Sequence, residues 1–129
     1  LKYTIEIIRE IKGKRVDKAI AFLMRVFNEE EFLPLRKYKS KMGHRKGDSK
    51  SMTKIGRYPG RTVKGILELL ELVKANADYK GLDSENLLIV HMFASQGFAK
   101  MSYQNQGRIA GKKRKRKSCH VEIVVQEAR

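Results

Sequence analysis

Apolar residues recur along this chain first at helical spacing and then at strand spacing. Ile5, Ile8 and Ile11 predict a short helix over residues 3–12, with Gly13 as the residue that ends it in a left-handed turn. Val16, Ala19, Ile20, Leu23, Met24 and Phe27 fall at i, i+3, i+4, i+7, i+8 and i+11, the stripe of a second helix that ends near Asn28. Pro34 disfavours helix at Leu33 and cannot sit inside one itself. From Leu35 to Arg61 the periodicity disappears. Pro59 then suits the first turn of a third helix, whose buried face is Val63, Ile66, Leu67, Leu70, Val73 and Ala77 and which stops at Gly81. A short polar connection, Leu82 to Asn86, leads into strand patterns. Leu87 to Ser95 is apolar and β-branched, and Cys119, Val121, Ile123 and Val125 alternate with His120, Glu122, Val124 and Gln126.

Two successive strands predict an antiparallel hairpin, yet residues 97–117 (GFAKMSYQNQGRIAGKKRKRK) separate them. Hairpins close in about two to five residues, so this connection is either disordered or made of strands that run on past the domain. A leg of roughly ten residues at about 3.3 Å per residue reaches about 30 Å, against a radius of gyration of about 14 Å for a compact chain of this length. The stretch therefore reads as a projecting arm. It contains eight cations and no carboxylate, which makes a polyanion its destination.

The whole chain is also basic: 29 Lys plus Arg against 14 Asp plus Glu, a formal charge of +15. Such a balance opposes compaction unless anions neutralise it. At 129 residues, 41% of them hydrophobic, the chain is expected to form one domain around one aliphatic core. Its single cysteine, Cys119, excludes an intramolecular disulfide and is consistent with a reducing cytosol or nucleus. No run approaches the roughly 18 apolar residues of a membrane span, and the first residues lack a signal-peptide layout. The chain opens at Leu1 without a methionine.

Two basic sets carry the candidate chemistry. Lys112, Lys113, Arg114, Lys115, Arg116 and Lys117 are six consecutive cations, which repel one another unless phosphates lie between them. The same composition serves a nuclear-localisation signal. The second set lies in the insertion, where Arg36, Lys37, Lys39, Lys41, Arg45, Lys46, Lys50, Lys54, Arg57 and Arg61 are interleaved with Tyr38 and Tyr58 and Asp48 is the one carboxylate. Arginine offers two hydrogen bonds to a phosphate, and tyrosine stacks on unpaired bases, unless these tyrosines simply pack on the domain. With little to bury, the insertion is expected to be extended and to order against a partner. Enzymatic readings lack support. Cys119 and His120 are neighbours on a strand and point to opposite faces, His44 and His91 are scattered, and Glu29, Glu30 and Glu31 form a run at a helix end. Neither a phosphate-loop motif nor a dinucleotide fingerprint occurs. No cofactor or metal is expected.

Several strings in order resemble the universal large-subunit ribosomal protein twenty-two family, whose eukaryotic member is large-subunit protein seventeen, in its archaeal and eukaryotic branch. They are IKGKRVDKAIAFL (Ile11 to Leu23), FLPLRKY (Phe32 to Tyr38), GRYPGRT (Gly56 to Thr62), ANADYKGLD (Ala75 to Asp83), GRI (Gly107 to Ile109) and SCHVEIVV (Ser118 to Val125). The resemblance implies an α+β fold, helices packed on a small antiparallel sheet with a long extended β-hairpin arm. It implies one domain over residues 1–129, with a basic RNA-binding insertion at 35–61 and the arm at 97–117. The implied function is a structural constituent of the large ribosomal subunit with no catalytic residues. Its partners would be large-subunit rRNA, neighbouring ribosomal proteins and the nascent polypeptide in the exit tunnel, with no membrane and no homo-oligomer. Its place would be the cytosolic ribosome, with nucleolar assembly in a eukaryote. Carried onto this chain, Lys100, Tyr103, Arg108 and the 112–117 run join the insertion cations and tyrosines in binding rRNA, and Met101, Gln104, Asn105, Gln106 and Gly107 belong to the tunnel end of the arm. Family members usually have a further strand before the first helix that pairs with the hairpin, and several arginines where this arm reads SYQNQ. Two rivals stand beside this reading. One is an architectural DNA-binding protein that lays the arm in a groove, and the other is a phosphate-processing enzyme.

Overall fold

The computed structural model describes residues 1–46, 52–108 and 110–128. Helices α1 (Lys2–Ile11) and α2 (Val16–Phe27) lead into a two-residue strand, β1 (Leu33–Pro34). The insertion follows and returns through β2 (Gly56–Arg57), after which come α3 (Gly60–Tyr79), a single 3₁₀ turn (Ser84–Asn86) and two long strands, β3 (Leu87–Tyr103) and β4 (Lys113–Glu127). β1 pairs antiparallel with β2, and β3 pairs antiparallel with β4. This is the expected α+β arrangement, with the helices on one face of a two-stranded sheet.

The core lies between the helices and that face of the hairpin. Ile7, Ile11, Val16, Ala19, Leu23, Val63, Leu70, Leu87, Ile89 and Met92 are buried, with Val121, Ile123 and Val125 of β4 packed against them. Both early helices are rotated from the expected stripes. In α1 the buried side chains are Thr4, Glu6, Ile7 and Ile11, with Ile5 and Ile8 only half-buried. In α2 they are Val16, Ala19, Phe22, Leu23 and Val26, and Met24 and Phe27 are exposed. Each helix carries apolar residues over more than one stripe, and contact with β3, β1 and α3 decides which side is covered. The α3 reading holds: Val63, Ile66, Leu70 and Ala77 are buried, Leu67 and Val73 half-buried, and Gly81 adopts φ +72° just past the end.

The α1–α2 link is stitched to the sheet. Gly13 N–H donates to the Ile89 carbonyl (2.9 Å) and Ile89 N–H to the Lys14 carbonyl (3.0 Å), while the Arg15 guanidinium donates to the Glu85 carbonyl (3.0 Å) and the Asn86 side chain. The 3₁₀ turn opens on Asp83, whose carboxylate accepts from Asn86 Nδ2 and Glu85 N–H, bonds that hold its carboxyl below the usual range.

The insertion departs from the expectation of a segment ordered only by a partner. Its root is part of the core: Phe32, Leu33 and Leu35 are essentially buried, and Leu35 N–H donates to the Ile55 carbonyl (2.9 Å). Glu6, 1% exposed, points its carboxylate at the turn that follows. There it accepts the backbone N–H groups of Arg36 (3.2 Å), Lys37 (2.8 Å) and Tyr38 (2.8 Å). Farther out, Arg45 N–H donates to the Lys54 carbonyl (2.8 Å), and His44 bridges Ile55. Periodicity could not show this, because the contacts join residues far beyond one helical or strand repeat, those of Glu6 about thirty apart in sequence.

Gly56 is required by packing. A Cβ there would lie 1.9 Å from Phe32 Cδ2, and the Phe32 ring, 2% exposed, has no room to retreat. Gly56→Ala is expected to cost about 2–3 kcal/mol, a fall of about 10 °C in Tm for a domain of this size. Unfolding of the single variant and of the Gly56→Ala/Phe32→Leu pair checks this, and the pair should recover part of the loss.

Candidate nucleic-acid interface

The arm is ordered strand, the second of the two possibilities left open by its length. β3 and β4 remain paired from Leu87↔Glu127 out to Tyr103↔Lys113. Backbone bonds extend the closure: Gln104 N–H donates to the Lys112 carbonyl (3.1 Å) and Gly111 N–H to the Gln104 carbonyl (2.7 Å). Gly107 (φ +88°) and Gly111 (φ +79°) take left-handed conformations that let the tip reverse.

Two irregularities aim the arm. The register steps between Ile89 and His91, leaving Val90 as an extra residue, so the buried set runs Leu87, Ile89, then Met92 and Ala94. The second step falls between Gln96 and Ala99, opposite Cys119 and Lys117. Here Gly97 and Phe98 together oppose Ser118, and Ser118 Oγ donates to the Phe98 carbonyl (2.6 Å). A Cβ at Gly97 would come 2.7 Å from Ser118 Oγ and 3.0 Å from His120 Nε2. A bulge bends and twists its strand, so the arm departs from the body at this point. Gly97→Val is expected to lower Tm by no more than about 2–4 °C, as for a loss near 1 kcal/mol, while reducing incorporation into ribosomal subunits several-fold. Thermal unfolding beside sucrose-gradient quantification separates the two effects.

Pairing sorts the basic run by chemistry. Successive strand residues face opposite sides, so Lys113, Lys115 and Lys117 share a face with Tyr103, Met101 and Ala99, their register partners. Arg114 and Arg116 share the other face with Ser102 and Lys100. The sequence KRKRK therefore produces a lysine face with a methionine and a tyrosine, and an arginine face. Every residue from Lys112 to Lys117 is exposed, as are Lys100, Met101, Tyr103, Asn105, Gln106, Gly107 and Arg108. No arm cation has a carboxylate within 4 Å among the described residues, where the ion pairs are Arg25–Glu31, Arg36–Glu10 and Lys74–Asp17. Hydrogen bonding to Asp17 raises the Lys74 pKa.

The insertion residues are more divided. Lys37, Lys39, Lys41, Arg45, Lys46, Lys54 and Arg61 are exposed, and Lys50 lies outside the described residues. Arg36 is paired with Glu10 (3.1 Å). Arg57 is half-buried and donates to the Gly43 (3.1 Å) and Gly56 (2.7 Å) carbonyls, so it ties the insertion together. Tyr38 lies near the ammonium groups of Lys2 (5.7 Å) and Lys37 (5.6 Å), and Tyr58 beneath the guanidinium of Arg45 (5.3 Å). Both rings are half-buried, which places them between packing and presentation. Sequence reasoning missed Glu6, the group that holds this segment. A glutamate set between Ile5 and Ile7 in α1 was the available signal.

No group of three or more His, Cys, Asp or Glu side chains suited to a metal ion occurs among the described residues, and no described helix is long and apolar enough to cross a membrane. Cys119 faces the helices, with its sulfur 3.8 Å from Thr4 Oγ1, whereas His120 lies on the opposite, exposed side near Gly97 and Ser118.

The model of the family described as ribosomal protein L22p/L17e matches residues 1–126. The chain belongs to that family. As an L22p/L17e protein it is a structural constituent of the large ribosomal subunit and not an enzyme. Relatives named large ribosomal subunit protein uL22 agree with the assignment. The protein from Staphylothermus marinus is 40% identical over 123 residues, covering 95% of this chain and 78% of its own length. That from Methanococcus aeolicus is 35% identical over 126 residues (98% and 81%), and that from Hyperthermus butylicus 39% over 127 residues (98% and 81%). All three organisms are archaea, so these L22p/L17e relatives give the nucleolar expectation no support.

Proposed function

We propose that this chain binds large-subunit rRNA through two surfaces, the hairpin arm and the basic insertion, and that it stabilises RNA packing near the polypeptide exit. The observation that carries this reading is the arm, a two-stranded ribbon that leaves the body at a bulge with cations on both faces and no carboxylate in residues 97–117. Phosphates supply the neutralising charge, and release of their counterions drives association. The insertion adds Lys37, Lys39, Lys41, Arg45, Lys46, Lys54 and Arg61 on a scaffold fixed by Glu6 and Arg57. Met101 and the tip residues Gln104, Asn105, Gln106 and Gly107 extend toward the nascent-peptide tunnel, as the family resemblance implies. The chain acts as a single copy beside neighbouring ribosomal proteins.

Crosslinking to RNA in intact cells, with adducts mapped on both molecules, tests the proposal. Adducts to large-subunit rRNA from both the arm and the insertion are expected. Dispersed messenger-RNA adducts, or chromatin association in their place, would overturn it.

A further inference from the structure

The arginine face of the arm ends in a concavity of about 470 Å³, lined by Ser102, Tyr103, the Gln104–Gln106 stretch, Arg114 and Arg116. One wall is fixed. The Arg114 guanidinium donates to Gln104 Oε1, and Gln104 Nε2 donates to the Gln106 carbonyl (2.9 Å), so both ends of that amide are occupied within the chain. The polar side chains of Asn105, Gln106 and Arg116 have no such internal bond among the described residues, and Asn105, Gln106 and Arg116 are exposed. The site thus combines two arginine guanidiniums with two free amides that each offer a donor beside an acceptor, while the Tyr103 side chain lies on the lysine face.

That set matches one chemistry closely. Arginine grips phosphate with paired N–H donors. Side-chain amides read the adjacent donor and acceptor on a base edge, and unstacked bases lie on aromatic rings or guanidinium planes. A polypeptide segment without carboxylates would leave the two guanidiniums without an anion. A base-paired stretch of RNA keeps its Watson–Crick edges engaged and holds its other edges in a deep, narrow major groove that side chains do not read. We propose that the arginine face of the arm tip is a receptor for a single unpaired rRNA nucleotide. Arg114 and Arg116 hold its phosphates, Asn105 and Gln106 read the base edge, and a guanidinium plane supplies the stacking surface. The lysine face, with Met101, takes no part in the nucleotide site and is left for backbone phosphates elsewhere on the rRNA. This rests on the reading that the arm binds rRNA, and it adds which face takes a single nucleotide.

Chemical probing of rRNA in large subunits assembled with the full chain tests it. Dimethyl sulfate and a carbodiimide report base edges, and hydroxyl radicals report the backbone. With the unaltered chain, one unpaired base is expected to be protected inside a short backbone footprint of the arm. In Asn105→Ala/Gln106→Ala that base should become about tenfold more reactive relative to the backbone positions of the same footprint, the change expected for loss of a bidentate base contact. Arg114→Lys/Arg116→Lys, which keeps the charge and loses the fork, should expose the same base. A backbone footprint without any protected base, or tip adducts to nascent peptide with base reactivities unaltered by the variants, would overturn the receptor and leave rRNA binding standing. No footprint from the unaltered chain would overturn both readings.

Discussion

Replacing Lys112, Lys113, Arg114, Lys115, Arg116 and Lys117 with glutamine is expected to flatten the salt dependence of rRNA binding strongly. Each cation that neutralises a phosphate contributes about 0.7 to the slope of log K against log salt on single strands, so six contacts account for a slope of about 4. Between about 50 and 200 mM salt that amounts to a few hundred-fold in affinity. Variant subunits should therefore lack the protein and precursor particles should accumulate. The fold should hold, because these six side chains are exposed and the strand bonds they leave behind are backbone bonds. Filter binding across a salt series, with far-UV circular dichroism as the control for folding, checks both halves. An unchanged slope would remove the run from the interface. Within the run, Lys113, Lys115 and Lys117 stand on a different face from Arg114 and Arg116. Neutralising one face at a time should divide the slope, showing which side the RNA occupies.

Glu6→Ala carries the second large effect, on stability. The carboxylate serves the N–H groups of Arg36, Lys37 and Tyr38 from a buried position. Losing an acceptor leaves each donor with a desolvation cost of about 1–3 kcal/mol, and partial access of water to the turn puts the expected total at about 3–5 kcal/mol. That is a large share of the roughly 5–15 kcal/mol by which domains are stable. Glu6→Gln should fall between the two. Its amide oxygen can keep the two bonds to Lys37 and Tyr38, whereas its NH₂ faces the Arg36 N–H donor to donor. Denaturant unfolding orders the three proteins, and amide exchange gives the local signature: protection at residues 36–38 should be lost first while the β3–β4 ladder stays protected. Similar stability in all three would contradict the anchoring role.

Much of the architecture was legible because it is written in local period. The α3 stripe, Gly81 and the alternation of Cys119, Val121, Ile123 and Val125 all lie where their spacing puts them. Helices α1 and α2 were legible as helices but not in their rotation. Ile5, Ile7, Ile8 and Ile11 are spread too widely around α1 for spacing to choose a side, and Phe22 and Val26 compete with Met24 and Phe27 in α2. Packing partners far along the chain made those choices. The same limit hid the root of the insertion, where charge density suggested an unanchored loop although Phe32, Leu35 and one glutamate fix it to the body. Of the candidate interface, composition identified the residues, and strand pairing supplied their grouping. Arg57 and Arg36 show that a cation in a basic segment can be committed inside the fold.

The alternation of lysine and arginine along β4 also limits how an arm like this one can change in length. One residue added to a leg would exchange the two faces beyond the insertion, carrying every guanidinium to the side where the ammonium groups had been. Two residues added to each leg would lengthen the reach by about 6.6 Å and leave the chemistry of each side intact. Viable length variants are therefore expected to be spaced in paired steps, and an odd step would require a compensating bulge like the one at Gly97 and Phe98.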